Sequence, residues 1–382
     1  MAKAVRWTLL IGILGGVLIL SALSGMGITR QAQEKQAASA TPGSYAFYLP
    51  VVSRAGATAL TLGYYTGTQG SYDAVQSLAP YLSIVSADVF GVQLDGSIVG
   101  GDEFDVVAYD RAHGLRTYAC IANYNNDPDV NDFDPALAHA AIVTHKDAVI
   151  ADLVALARDG GYDGVNIDFE SLAYSADIAE DRAAFSAFIH DLAAQLHAQE
   201  LKLAISVPGK TEHSAQDAWS YPFDYAALGR DADYLQLMTY DQHGPWGEPG
   251  PVSGADWVEA CVIYAASLVD PDKLLIGLPA YGYDWDLTAS DPGSGSYTAS
   301  SFSWTDIPTL LAKPGAALQW DAAAQSPAVT YTEGGHVHEA WYENAESLRA
   351  KTALVTRYKL AGLSMWSLGQ EDESFWVAAT DF

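Results

Sequence analysis

The chain has 382 residues, 49% of them hydrophobic and only 17% charged, with a formal net charge of −28. That much apolar material supports a buried core, and the length accommodates two or three ordinary domains or one large barrel. So acidic a surface repels phosphate backbones, which excludes a nucleic-acid partner and leaves a neutral polysaccharide unopposed. The 10 Trp, 22 Tyr and 11 Phe fit either core packing or a groove in which sugar rings stack on aromatic faces. Two cysteines, Cys120 and Cys261, make no disulfide framework and are expected to be separate buried thiols.

At the start of the chain, Lys3 and Arg6 precede an apolar run from Trp7 to Ile28 that Arg30 closes. A basic flank followed by such a run marks an export signal or a membrane anchor. The run, about 22 residues, is long enough to span a bilayer, which takes roughly 20. Small residues at Ser21-Ala22-Leu23-Ser24-Gly25 leave cleavage open. Residues 1–29 are therefore read as signal peptide or single-pass anchor, with the bulk of the chain exported. Residues 30–57, polar and then Pro-containing, are read as a tether.

From Leu60 onward, short apolar runs alternate with amphipathic helical stretches. The expected strands are Leu60–Tyr65, Leu82–Val89, Arg116–Ile121, Gly164–Phe169, Lys202–Val207, Tyr234–Thr239, Leu274–Leu278 and Gly362–Trp366. Helical periods fit at Lys146–Asp159, Asp181–Gln199, Ala255–Leu268 and Ala345–Tyr358. Eight alternating units predict an α/β fold, a (β/α)8 TIM barrel. An open doubly wound sheet is the alternative, but no Gly-rich phosphate loop follows the first strand. The rhythm breaks after Pro279. The stretch of about 285–342 has strand signals at Ala317–Trp320, Ala328–Thr332 and Val337–Tyr342 and predicts a small α+β insertion between strand 7 and its helix.

Catalytic groups in such barrels sit at the C-terminal ends of strands. The fourth strand ends Asp163-Gly164-Val165-Asn166-Ile167-Asp168-Phe169-Glu170. Side chains alternate along a strand, so Asn166, Asp168 and Glu170 share one face, with Val165, Ile167 and Phe169 on the other. Three polar groups on the inner face of a buried strand carry a desolvation cost that stability alone does not explain. Crowded carboxyls raise one another's pKa, and one kept protonated near neutral pH can act as general acid.

These residues resemble glycoside hydrolase family 18, the chitinase family, whose signature runs acidic residue, Gly, apolar, Asp or Asn, apolar, Asp, any residue, Glu. Asp163, Gly164, Asn166, Asp168 and Glu170 follow it, with Asn166 at a position often held by Asp. Leu237-Met238-Thr239-Tyr240-Asp241 resembles the family's Met-x-Tyr-Asp motif, Met365-Trp366 its Trp floor, and Gly277-Leu278-Pro279-Ala280-Tyr281-Gly282-Tyr283 its seventh-strand segment. Glu248-Pro249-Gly250-Pro251-Val252 and Tyr281-Gly282-Tyr283-Asp284-Trp285 narrow the likeness to the branch of spore-cortex-lytic N-acetylglucosaminidases.

The resemblance implies a retaining hydrolase of N-acetylglucosamine polymers, of peptidoglycan or chitin type, in which the substrate's own acetamido group is the nucleophile. It implies catalytic roles for Glu170, Asp168 and Tyr240. Substrate contacts are implied for Asp163, Asn166, Met238, Asp241, Tyr281 and Trp366, although the parity of Asp163 also fits a brace for the strand. No cofactor or metal is expected, and a monomer is expected. The competing reading is a non-hydrolytic carbohydrate-binding protein on the same scaffold; the acid at Glu170 argues against it. His336 and His338 are expected on a surface strand. The acidic stretch from Asn123 to Asp132 lacks the spacing of a calcium loop and is expected to face substrate.

Overall fold

The computed structural model describes residues 59–381. The expected export segment and tether lie outside the described residues. No helix among the described residues is long and apolar enough to cross a membrane.

Eight parallel strands close into a barrel: β1 (Leu60–Tyr65), β2 (Ile84–Val92), β3 (Arg116–Ala122), β4 (Gly164–Asp168), β5 (Lys202–Pro208), β6 (Tyr234–Met238), β7 (Leu274–Pro279) and β8 (Gly362–Trp366). Each pairs with its sequence neighbour, and β1 pairs with both β2 and β8, so no barrel edge is left open. A helix follows each strand: Gln69–Leu78, Val106–His113, Lys146–Gly160, Ile178–His197, Tyr225–Asp231, Ala255–Ala266, Ala345–Tyr358 and Glu373–Ala379. Local chemistry sets their ends. Asp177 accepts from the amide of Ala179 at the start of Ile178–His197, and Gly161, at φ 73°, closes Lys146–Gly160.

Alternation along the strands builds two different interiors. Outward residues such as Val165, Ile167 and Phe169 are fully buried against the helical layer, in one cluster with Phe185, Phe188 and Ile189. Inside the barrel, Leu62, Ile84, Tyr118, Ala204 and Leu275 form an apolar floor. Two residues further along the strands the inner positions turn polar: Tyr64, Ser86, Asn166, Ser206, Gln236 and Ser364, all buried. The polar layer supports the C-terminal mouth, where β2, β4, β6 and β8 deliver Asp88, Asp168, Met238 and Trp366.

The insertion is a five-stranded antiparallel sheet in the order Ala299–Ser303, Tyr281–Asp286, His336–Trp341, Ser326–Glu333, Ala317–Asp321, with a helix at Ile307–Leu311. Leu310, Val329, Tyr331, Ala340 and Tyr342 give it a core of its own. It begins at Tyr281, earlier than the composition predicts, because Tyr281–Asp286 leaves β7 almost directly and pairs on both sides. His336 and His338 sit on its sheet beside Asp286 and Asp284, at 2.6 and 3.2 Å. β2 starts two residues later than expected, since Leu82 still closes the preceding helical turn, and it runs on to pair with the short strand Ile98–Gly100. Cys120 and Cys261 are free and buried, as expected.

Candidate active site

The regular pairing of β4 ends at Asp168, and Glu170 stands just beyond it at the barrel mouth, followed by Ser171 in a left-handed conformation (φ 53°). Phe169 is fully buried against Phe188, which anchors this stretch between the two carboxyls. Asn166, also fully buried, lies below Asp168. Its Nδ2 is within 3.0 Å of the Tyr64 hydroxyl and of Ser86 Oγ, and 3.4 Å from Ser206 Oγ. Tyr64 shares a 2.8 Å contact with Ser206, and Gln236 donates to Ser364 at 2.8 Å. The polar layer is thus a hydrogen-bonded platform under the two acids, joined through Asn166 Nδ2, while Asn166 Oδ1 is buried with no hydrogen-bond partner among the described residues.

Burial raises the pKa of Asp168 above the ordinary carboxylate range, against a lowering contribution from the Ser206 hydroxyl. Its Oδ1 is buried with no hydrogen-bond partner among the described residues. Glu170 is held well above the usual range by burial and then by the charges of Asp168, Asp241 and Asp88. A carboxyl raised in this way holds its proton more tightly than an ordinary one and suits the role of proton donor.

Tyr240 arrives from the end of β6, its phenol shifted well upward by burial and by the charges of Asp168, Glu170 and Asp241. It therefore remains a neutral hydroxyl donor. Gly277 on β7 makes the room: a Cβ there would lie 2.7 Å from the Tyr240 ring and 2.8 Å from Gln236 Nε2. Asp241 takes a left-handed turn (φ 57°), which Asp tolerates better than most residues. Its Oδ1 accepts from the hydroxyls of Tyr281 and Tyr283, at 2.7 and 3.0 Å. These tyrosines are two apart on the first insertion strand, so they share a face. Met238 is buried at the end of β6, and the Trp366 ring lies 5.2 Å from that of Tyr64.

Asp163 is placed differently from the other sequence candidates. It stands at the opposite end of β4, roughly 16 Å from Asp168 at about 3.3 Å per residue. Its carboxylate accepts from the amide of Thr117 at 2.9 Å. This corrects the substrate contact expected of it: Asp163 braces β4 to β3, as its parity allowed.

Two residues at the mouth were not among the catalytic or substrate-binding candidates read from the sequence. Asp88, at the upper end of β2, has its pKa raised by burial and by the charge of Asp168. It shares inward parity with Ser86, which a strict period-two reading of β2 would have exposed. Asn123, the residue after β3, is fully buried. Its Oδ1 accepts from Glu170 N at 2.8 Å, and its Nδ2 donates to Glu170 O at 2.8 Å and to Asp134 O at 3.0 Å. The rest of that acidic stretch forms a small ribbon, Tyr124–Asn125 against Asp132–Phe133. Among the described residues no group of three or more metal-ligating side chains is assembled.

The arrangement combines a raised carboxyl able to give up a proton, a neighbouring buried carboxyl with an open acceptor atom, and a fixed phenol in a mouth lined by aromatic rings. Comparison with known proteins agrees with this chemistry. The profile of Glycosyl hydrolases family 18 matches residues 61–371. A Bacillus subtilis protein named as the uncharacterized glycosylase YvbX is 36% identical over 84% of this chain and 91% of its own length. A solved chitinase from Chromobacterium violaceum superposes with a TM-score of 0.78 at 35% identity, covering 84% of this chain and 98% of the other. The spore cortex-lytic enzyme SleL of Bacillus megaterium gives 0.76 at 27% identity, over 86% and 75% of the two chains. The chain belongs to glycosyl hydrolase family 18, and it is a glycosidase.

Proposed function

We propose that the protein is a retaining hydrolase of β-linked N-acetylglucosamine polymers, of peptidoglycan or chitin type, that uses the substrate's acetamido group as nucleophile. The observation that carries this reading is the open, buried Oδ1 of Asp168 beside Glu170. A buried acceptor without a protein partner is costly unless a ligand donor meets it, and the acetamido N–H is such a donor. Similarity to proteins named as chitinase and spore cortex-lytic enzyme supports the substrate class.

In the first step the acetamido carbonyl oxygen forms a bond to the anomeric carbon while the glycosidic C–O bond breaks. The proton of Glu170 passes to the leaving oxygen. Asp168 accepts the acetamido N–H and offsets the positive charge of the resulting oxazolinium, and the Tyr240 hydroxyl holds the acetamido oxygen in line. Glu170, now a carboxylate, takes a proton from water as that water adds to the anomeric carbon and reopens the ring. Two inversions at one centre give net retention. Trp366 supplies the floor for the sugar ring, Asp241 and Tyr281 contact sugar hydroxyls, and Asn166 supports Asp168 from below. The basic flank and apolar run at the start of the chain support export to the polymer.

The test is product analysis on chitin oligosaccharides and on purified peptidoglycan, with the wild type and Glu170→Gln side by side. The wild type should release new reducing N-acetylglucosamine ends of β configuration from one of the polymers. Glu170→Gln should lose at least about 10²-fold in turnover, the lower bound for general acid–base catalysis. Near-normal turnover by the variant, or α-configured product, would overturn the mechanism. Binding without cleavage of either polymer would overturn the substrate class.

A further inference from the structure

We propose that Asn123 is a positioning residue for the general acid: its side-chain amide stands in for a missing strand rung and sets where the Glu170 carboxyl sits. The inference rests on the assignment of Glu170 as the acid.

The pairing of β3 with β4 runs from Tyr118↔Gly164 to Ala122↔Asp168 and stops there. Glu170 lies two residues beyond the last rung, and Ser171 turns the chain away at φ 53°. Its own N–H and C=O would therefore lack a neighbouring strand at the point where the reaction needs a fixed carboxyl. Asn123 supplies both partners, taking the Glu170 N–H on Oδ1 at 2.8 Å and giving an Nδ2 hydrogen to the Glu170 carbonyl at 2.8 Å. A carboxamide is the side chain whose acceptor and donor reproduce those of a peptide; Asp offers acceptors only, and Ser is too short to meet both groups.

The clamp is itself clamped. Asn123 is fully buried, its Nδ2 also donates to Asp134 O at 3.0 Å, and its own carbonyl accepts from Asp134 N at 3.0 Å. Asp134 in turn caps the helix Pro135–His139 through the amide of Ala136. The main chain of Glu170 is thus fastened, through one amide, to the base of the ribbon Tyr124–Phe133 and to a helix start. Errors of about 1 Å in a reacting group cost on the order of 10²-fold in rate, so a two-point hold on the acid's backbone has a large catalytic consequence.

A positioning role for the acid predicts dependence on the leaving group, which a purely structural role does not. The probes are a phenyl and a dinitrophenyl β-glycoside of whichever N-acetylglucosamine oligosaccharide the wild type cleaves. Phenoxide needs a proton to depart; dinitrophenoxide does not. For Asn123→Ala, kcat/KM should fall about 10–100-fold on the phenyl glycoside and less than about threefold on the dinitrophenyl one. Asn123→Asp keeps the size and the acceptor and loses the donor; it serves where the alanine variant fails to fold, as judged by near-UV circular dichroism. It should show the same selectivity. In addition, the basic limb of its pH profile should move to higher pH, because an added negative charge beside Glu170 favours the protonated acid. Equal losses on both glycosides, or no loss on either, by a folded variant would overturn the clamp. Glu170→Gln, run in parallel, separates the two claims. If it alone shows the leaving-group selectivity, only the role of Asn123 fails. If it cleaves the phenyl glycoside as the wild type does, the assignment of the acid fails.

Discussion

Burial and then the charges of Asp168, Asp241 and Asp88 raise the pKa of Glu170, and Asp88, hydrogen-bonded to the Cys120 thiol, contributes as one of those charges. Asp88 and Asp168 both have folded-state pKa values above the ordinary carboxylate value of 3.8, with burial the leading cause for each. An unfolded chain releases these protons near that ordinary value, while the folded chain retains them. The folded state is therefore disfavoured progressively as pH rises through the ordinary range toward the raised values; below that range the cost is absent. Asp88→Asn removes one such group. Its melting temperature should exceed that of the wild type near pH 8 and match it near about pH 3; a gain of equal size at both would exclude titration as the cause. The same substitution deletes a charge that raises Glu170. The basic limb of the activity profile should move to lower pH, in the direction opposite to Asn123→Asp.

At the scale of elements, the insertion reaches the site through its first strand, which carries Tyr281 and Tyr283 onto Asp241. It leaves through Glu343, just ahead of the helix Ala345–Tyr358. There a buried ion pair fixes the exit: Lys351 Nζ lies 2.6 Å from Glu343 Oε2, and Ser347 donates to the same oxygen at 2.5 Å. Both charged side chains are essentially inaccessible, at 0% and 1%. Breaking such a pair strands the other charge in a poorly solvating interior. Lys351→Met should cost about 3–5 kcal/mol in urea unfolding, and Lys351→Met combined with Glu343→Leu should recover most of it. A loss under about 1 kcal/mol for the single variant would mean that Glu343 takes up a proton at little cost.

For the molecule as a whole, the net charge of −28 sets a self-repulsion that the fold has to overcome. Raising ionic strength from about 0.01 M to about 1 M shortens the screening length from roughly 30 Å to roughly 3 Å. The melting temperature in scanning calorimetry should rise across that range, because like charges spread over the surface are screened more than the short attractive pairs. A falling melting temperature would show that the local ion pairs outweigh the global repulsion. Closure of the barrel removes its sheet edges and leaves strand ends and loops to carry function.

Periodicity made the barrel legible. The two-residue alternation in Gly164–Phe169 and the longer apolar rhythm of Ala345–Tyr358 are properties of neighbouring residues, decided by the pleat and the helical turn before any tertiary contact forms. The same alternation placed Asn166 and Asp168 inward and put Asp163 out of phase with them. Asn123 was not legible in that way. Its function depends on which main-chain groups run out of partners where β4 ends, a fact of pairing between segments 47 residues apart. Asp88 depended on which carboxyls the closing barrel brings together, and the sharing of Asp241 between two insertion tyrosines depended on where that sheet docks. The sequence alone determined the alternating elements, the acid-bearing strand and the aromatic supply, because these follow from local pattern and composition. Only the tertiary structure decided which hydrogen bonds hold the acid and which charges shift it, because burial and proximity exist only once the barrel has closed.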